Sequence, residues 1–155
     1  MDARVDQHLS RLRLVCAAIL GSIPIYVAIG SLVARPERPP LAQGEHFLWI
    51  FATIAVLNLV SIMPVYRAML VSPRRVYAAG RLAEPLLAAH FTAHLVAFAR
   101  LEAVAVLGVA LFFLDGNQQS LWIFCAVAGA GMLILWPRKA KVEALLEPTS
   151  AAIAP

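Results

Sequence analysis

Cysteine, lysine and acid are all scarce in this chain. Among its 155 residues are two cysteines, Cys16 and Cys125, two lysines and nine carboxylate side chains. The cysteines have no CxxC, CxxCH or lipobox-like context, which excludes a disulfide framework, a c-type haem attachment and a lipid anchor. They fall in separate apolar runs near opposite ends, too far apart to bridge, and read as small packing residues. No P-loop, dinucleotide-binding glycine pattern or nucleophile elbow occurs, so no enzyme and no resident cofactor is expected. Charged residues make up only 14% of the chain, too few to coat a soluble domain.

What is abundant is apolar. Hydrophobic residues reach 61% and the mean hydropathy is +0.79, against roughly 45–50% apolar content in a soluble domain. The excess surface must face lipid. Hydrocarbon offers the backbone no water, so spanning segments are helices of about 20 residues. Four runs qualify or nearly so, at about 14–33, 47–65, 95–114 and 121–136. The third helix is predicted to begin earlier, near Pro85, because proline suits a first helical turn. The fourth, LWIFCAVAGAGMLILW, has 16 residues and covers only about 24 Å at the helical rise. The first run follows Arg4, Arg11 and Arg13, as a signal peptide would. Its length and Pro24 nonetheless read as a retained signal anchor rather than a cleaved segment. The predicted fold is all-α, one four-helix transmembrane bundle.

Positive charge sets the orientation. Ten Lys and Arg residues fall on one side: Arg4, Arg11 and Arg13; Arg67, Arg74, Arg75 and Arg81; Arg138, Lys139 and Lys141. The other side has Arg35 and Arg38. Both termini are therefore expected to be cytoplasmic, in a bacterial inner membrane; the excess of arginine over lysine suggests a GC-rich genome. Trp49 and Trp122 at the outer level, with Tyr66 and Trp136 at the inner, agree with the aromatic-belt preference. The net charge of +4 then reflects orientation and contact with anionic lipid. No nucleic-acid binding is expected, because no basic stripe interleaves with exposed aromatics. Arg67, Arg74, Arg75, Arg81, Arg138, Lys139 and Lys141 form the predicted membrane-surface set. The segment 67–90 is expected to be the longest connection, lying on the inner leaflet or docking a partner. The C-terminal tail is expected to form at most a short helix before Pro148.

Two charges interrupt the third run. Arg100 lies about 8 Å and Glu102 about 10 Å inside the span, counted from Leu95 at the helical rise. Arginine can snorkel from that depth. A buried charge costs roughly 2.5–3.5 kcal/mol on insertion scales, so Glu102 needs an interior partner. Arg100 is not that partner, because residues two apart point about 200° away from each other. At matching depth the second span supplies Asn58, with Ser61 a turn away, and the fourth supplies Gly129 and Gly131. The prediction is a Glu102–Asn58 polar contact, with Gly108, Gly129 and Gly131 as helix-packing positions that allow close approach. His90 and His94 form HxxxH on one face. No third ligand appears at their depth, so they read as interfacial histidines, with no metal site. His46 lies at the opposite end, which sets a bis-histidine haem aside.

LEAVAVLGVALFFL, residues 101–114, resembles the second helix of the rotary-ATPase proteolipid, subunit c. There the ion-carrying carboxylate stands in a pattern close to E-A-x-A-x-x-G; Glu102, Ala103, Ala105 and Gly108 correspond. The resemblance implies proton or cation translocation with Glu102 as carrier. This chain departs from the family in two ways: its preceding span has no glycine repeat, and Arg100 stands beside the carboxylate. The leading expectation is instead a non-catalytic accessory or assembly subunit of a larger membrane complex. Its partners would be lipids and other membrane subunits, or further copies of itself.

Overall fold

A computed structural model describes residues 2–33, 44–78 and 83–146, with side chains at 2, 44, 45 and 78 left aside. Five helices and no strand occur among the described residues: α1 (Asp2–Val33), α2 (Gly44–Ala78), α3 (Glu84–Asp115), α4 (Gln118–Ile134) and α5 (Lys139–Leu146). α1, α2 and α3 are each long and apolar enough to cross a membrane. α4 reaches that length only together with α5, beyond a bend of 52°. The protein is thus an all-helical bundle with three to four candidate membrane-crossing helices.

Helix direction alternates, so the N-terminal ends of α1 and α3, the C-terminal ends of α2 and α4, and all of α5 share one end. Most of the cations gather there, and it is called the basic end below. α3 is central. It packs against α1, α2 and α4, while α1 also meets α4 and α5.

The seam on α1 explains why that helix is so long. Val5, Leu9, Leu12, Cys16, Ile19, Ile23, Tyr26 and Gly30 recur at alternating intervals of four and three and are all buried or half-buried. That is the spacing with which one helix keeps a stripe against its neighbours. The stripe continues below the apolar run, so the residues before the first run are helical from Asp2. α3 carries two such stripes, as a central helix must. One runs through Ala93, Ala97 and Val104, the other through Phe98, Leu101, Ala105, Gly108 and Phe112.

One expectation is corrected. Residues 67–78 are not a surface connection but the last turns of α2, which continues through Pro64 and Pro73, while α3 starts at Glu84, next to the expected Pro85. Proline reads as a breaker, yet a helix packed against a neighbour tolerates the lost N–H donor. The tail forms the short helix expected before Pro148, turned by 52° from α4. As α5 it folds across the basic end, burying Val142, Leu145 and Leu146 with Val5, Leu9, Leu70 and Leu86 in a small second core. Tyr77 donates to the Leu146 carbonyl at 3.0 Å, and the Arg13 guanidinium to the Pro137 carbonyl at 3.2 Å. At the opposite end Gly116 closes α3 in a left-handed conformation, φ 72°, and its N–H reaches the Phe112 carbonyl. The Asn117 side chain then caps α4 by accepting from the Gln119 N–H at 2.9 Å.

Candidate functional site: the polar layers of the bundle

Arg100 and Glu102 leave α3 in opposite directions, as their spacing requires, and each finds a hydroxyl on a different neighbour. The Glu102 Oε1 accepts from Tyr26 Oη at 2.9 Å and from Ser22 Oγ at 3.1 Å, both on α1. Ser22 and Tyr26 stand four residues apart and so share a face of that helix. The Ser22 hydroxyl has a single proton, and the Ile19 carbonyl lies at 2.7 Å as a competing acceptor.

On the other flank Arg100 Nη1 donates to Ser61 Oγ of α2. A guanidinium only donates, so the serine oxygen accepts here and its own proton goes to the Leu57 carbonyl at 2.7 Å or the Asn58 carbonyl at 2.9 Å. Both charges are half-buried. The three ion pairs among the described residues, Arg4–Glu84, Lys139–Asp6 and Lys139–Glu143, lie at the basic end instead.

Asn58 is therefore not the partner of Glu102. Its side-chain amide donates along its own helix, to the Ile54 carbonyl at 3.0 Å. Equal depth put Asn58 beside Glu102 in the sequence reading, but depth does not fix azimuth: α2 covers the Arg100 flank of α3, and Glu102 faces α1. Ser22 lies at comparable depth in the first run. A hydroxyl donor serves a carboxylate as well as an amide does.

The glycines divide similarly. A Cβ added at Gly108 would lie 2.5 Å from the Phe124 Cβ, and one at Gly131 would lie 2.6 Å from a Leu101 methyl, so both mark close approach between α3 and α4. Gly129 does not meet α3. A Cβ added there would lie 4.0 Å from the Ile23 Cγ2 of α1, an ordinary van der Waals contact. Gly30, unmarked in the sequence reading, seats Leu121.

A second polar layer lies nearer the basic end. His90 and His94 are both buried within the bundle, with ring centroids 4.3 Å apart. The helical N-terminal segment brings His8 to them, its Nε2 at 3.2 Å from His90 Nδ1. Tyr66 Oη stands 3.1 Å from His94 Nδ1, which also lies 3.2 Å from the His90 carbonyl. The ring nitrogens thus face one another, a phenol and a carbonyl rather than a common point. Among the described residues no group of three or more His, Cys, Asp or Glu is arranged to hold a metal ion. His46 is exposed at the far end of α2.

Of the predicted surface cations, Arg67, Arg74, Arg75 and Arg138 are exposed at the basic end, as is Lys141 on α5, and Lys139 pairs with Asp6 at 2.9 Å. Arg81, like Arg35 and Arg38, lies outside the described residues. Comparison with known family models, characterised proteins and solved structures finds no match, so the proteolipid resemblance of residues 101–114 gains no support from relatives.

Proposed function

We propose that this chain is a non-catalytic accessory or assembly subunit of a larger complex in a bacterial inner membrane, with its basic end and both termini cytoplasmic. The observation that carries the reading is the paired bracket on α3. Glu102 is tied to α1 through Ser22 and Tyr26, and Arg100 to α2 through Ser61. Each charge fastens the central helix to a different neighbour, which is the use of a polar group that a bundle in lipid needs. Orientation follows from the cations that gather at one end. The outward faces of α2 and α4 keep Trp49, Leu57, Val60, Trp122 and Ile134 exposed, surfaces suited to lipid or to a neighbouring subunit.

A second reading, proton or cation translocation with Glu102 as carrier, is favoured by one detail. Both described hydrogen bonds to Glu102 fall on Oε1, which leaves Oε2 for an ion or proton. Substitution separates the two. Glu102→Gln keeps an acceptor oxygen for Tyr26 and Ser22, so the structural role predicts normal assembly. Glu102→Leu strands both hydroxyls and is expected to weaken the bundle by about 1 kcal/mol, because polar contacts between membrane helices are modest. The checks are co-purification of partner subunits in mild detergent and proton flux in reconstituted vesicles. Flux present in the wild type and lost in a well-assembled Gln variant overturns the structural reading.

A further inference from the structure

We propose that the cleft between α2, α3 and α5 at the basic end is a specific site for a phosphate anion. Its cations are Arg67 and Arg74 of α2 and Lys141 of α5, and its volume is about 410 Å³. Arg67 and Arg74 are seven residues apart, so they share one face of α2 at successive levels, and Lys141 approaches from the helix packed across it. Among the described residues none of the three forms an ion pair. That distinguishes them from Arg4 and Lys139 at the same end, each of which has found a carboxylate. Two guanidinium groups and an ammonium bordering one acid-free cleft supply the charge and the donors that a phosphate takes.

The lining also holds a histidine. His90 also borders the cleft although it is only 2% exposed. Its Nδ1 is already shared with His8, so Nε2 is the ring nitrogen left for a ligand. An anion there selects the tautomer that carries its proton on Nε2 and accepts at Nδ1 from His8. The remaining walls include Met63, Leu70 and Leu145, and the cleft opens where α2 leaves its apolar stretch. A phosphate with acyl chains attached and a free phosphate both satisfy this chemistry, and basic clefts between membrane helices recruit anionic headgroups in general.

The test uses the full chain purified in a neutral detergent with ¹⁵N-labelled histidine. Inorganic phosphate is titrated first, then phosphatidylglycerol, with phosphatidylcholine as the zwitterionic comparison. A saturable change in the His90 ¹⁵N signals with inorganic phosphate supports the site and identifies a free anion as sufficient. A change with phosphatidylglycerol alone, absent with phosphatidylcholine, supports it and identifies a lipid headgroup. In either case the Arg67→Gln/Arg74→Gln variant is expected to bind about tenfold or more weakly, because bonds to charged groups are the strong ones. Lys141→Gln should weaken binding less. The Arg75→Gln/Arg138→Gln variant makes the same change in net charge outside the cleft and should bind normally. No response of the wild-type protein to either probe overturns the proposal, and so does an equal loss in the Arg75/Arg138 control, which would reduce the effect to surface charge.

Discussion

The two flanks of α3 are built differently. Toward α1 and α4 the backbones come close: Gly108 sits under Phe124, Gly131 under Leu101, and Gly30 under Leu121. These three helices touch in all three pairings, and Glu102 adds two hydroxyl contacts to α1. Toward α2 there is no glycine in the seam. Ala55, Leu59 and Ile62 pack from α2 onto the central helix, and Arg100 adds its contact to Ser61. Lipid tails are as apolar as leucine, so helices in a membrane gain little from burial alone and depend on close fit and interhelical hydrogen bonds. The α1/α4 flank has more of both. It should tolerate added bulk least, while α2, which packs along α3 and is tied to the rest of the bundle at the basic end through Leu70 and Tyr77, should tolerate it better.

The largest expected effect tests the fit itself. Gly108→Leu drives a side chain into Phe124 at its Cβ, which is anchored to the backbone of α4 and cannot swing aside as a flexible chain end would. Overpacking of this kind costs about 1–3 kcal/mol or more. A large fall in the unfolding midpoint in detergent is expected. Ala52→Leu on the half-buried margin of the α2 seam is the matched change and should lower the midpoint much less. Equal losses in the two variants would mean that the flanks are equally tight.

A middle-sized effect compares the brackets. Ser22→Ala with Tyr26→Phe removes both donors to Glu102 and should destabilise the bundle by about 1 kcal/mol, since single contacts of this type average about 0.6. Ser61→Ala should cost less, because Arg100 is half-exposed and its long side chain can extend toward headgroups. Limited proteolysis adds a second readout. Ser61→Ala should speed cleavage within α2 without altering α1, and the double variant should do the opposite.

Much of this was legible in the chain, and the misses share a cause. Apolar runs gave the candidate crossing helices and Pro85 gave the start of α3, because these are local properties. Depth along a helix was also legible, since it needs only the rise per residue. Azimuth was not: which neighbour a side chain meets depends on how helices are arranged around α3, and hydropathy carries none of that. The four-three spacing from Val5 to Gly30 did hold the missing clue. It extends α1 down to His8 and turns Tyr26 inward, toward Glu102. The stretch around Pro73, Arg74 and Arg75 misled for the opposite reason. Proline and charge are loop signals in a soluble chain, whereas here they ride on the end of a long helix whose other face is packed.

The smallest effect is expected at Asn58, and it separates two assignments of the Glu102 partner. In the structure the Asn58 amide donates to the Ile54 carbonyl, one turn back on α2. That carbonyl already accepts the backbone N–H that every helical turn supplies. Asn58→Leu therefore strands no group on another helix, and at a half-buried position it should change stability by no more than about 0.5 kcal/mol. Were Asn58 instead the donor that satisfies Glu102, the same substitution would leave a carboxylate in the bundle without its partner, and the loss would approach that of the Ser22/Tyr26 variant. Unfolding midpoints of the two variants, measured side by side in one detergent, decide between them. A near-wild-type Asn58→Leu protein keeps Glu102 on the α1 flank. A loss equal to that of the double variant would move the carboxylate to α2 and erase the difference between the flanks of α3.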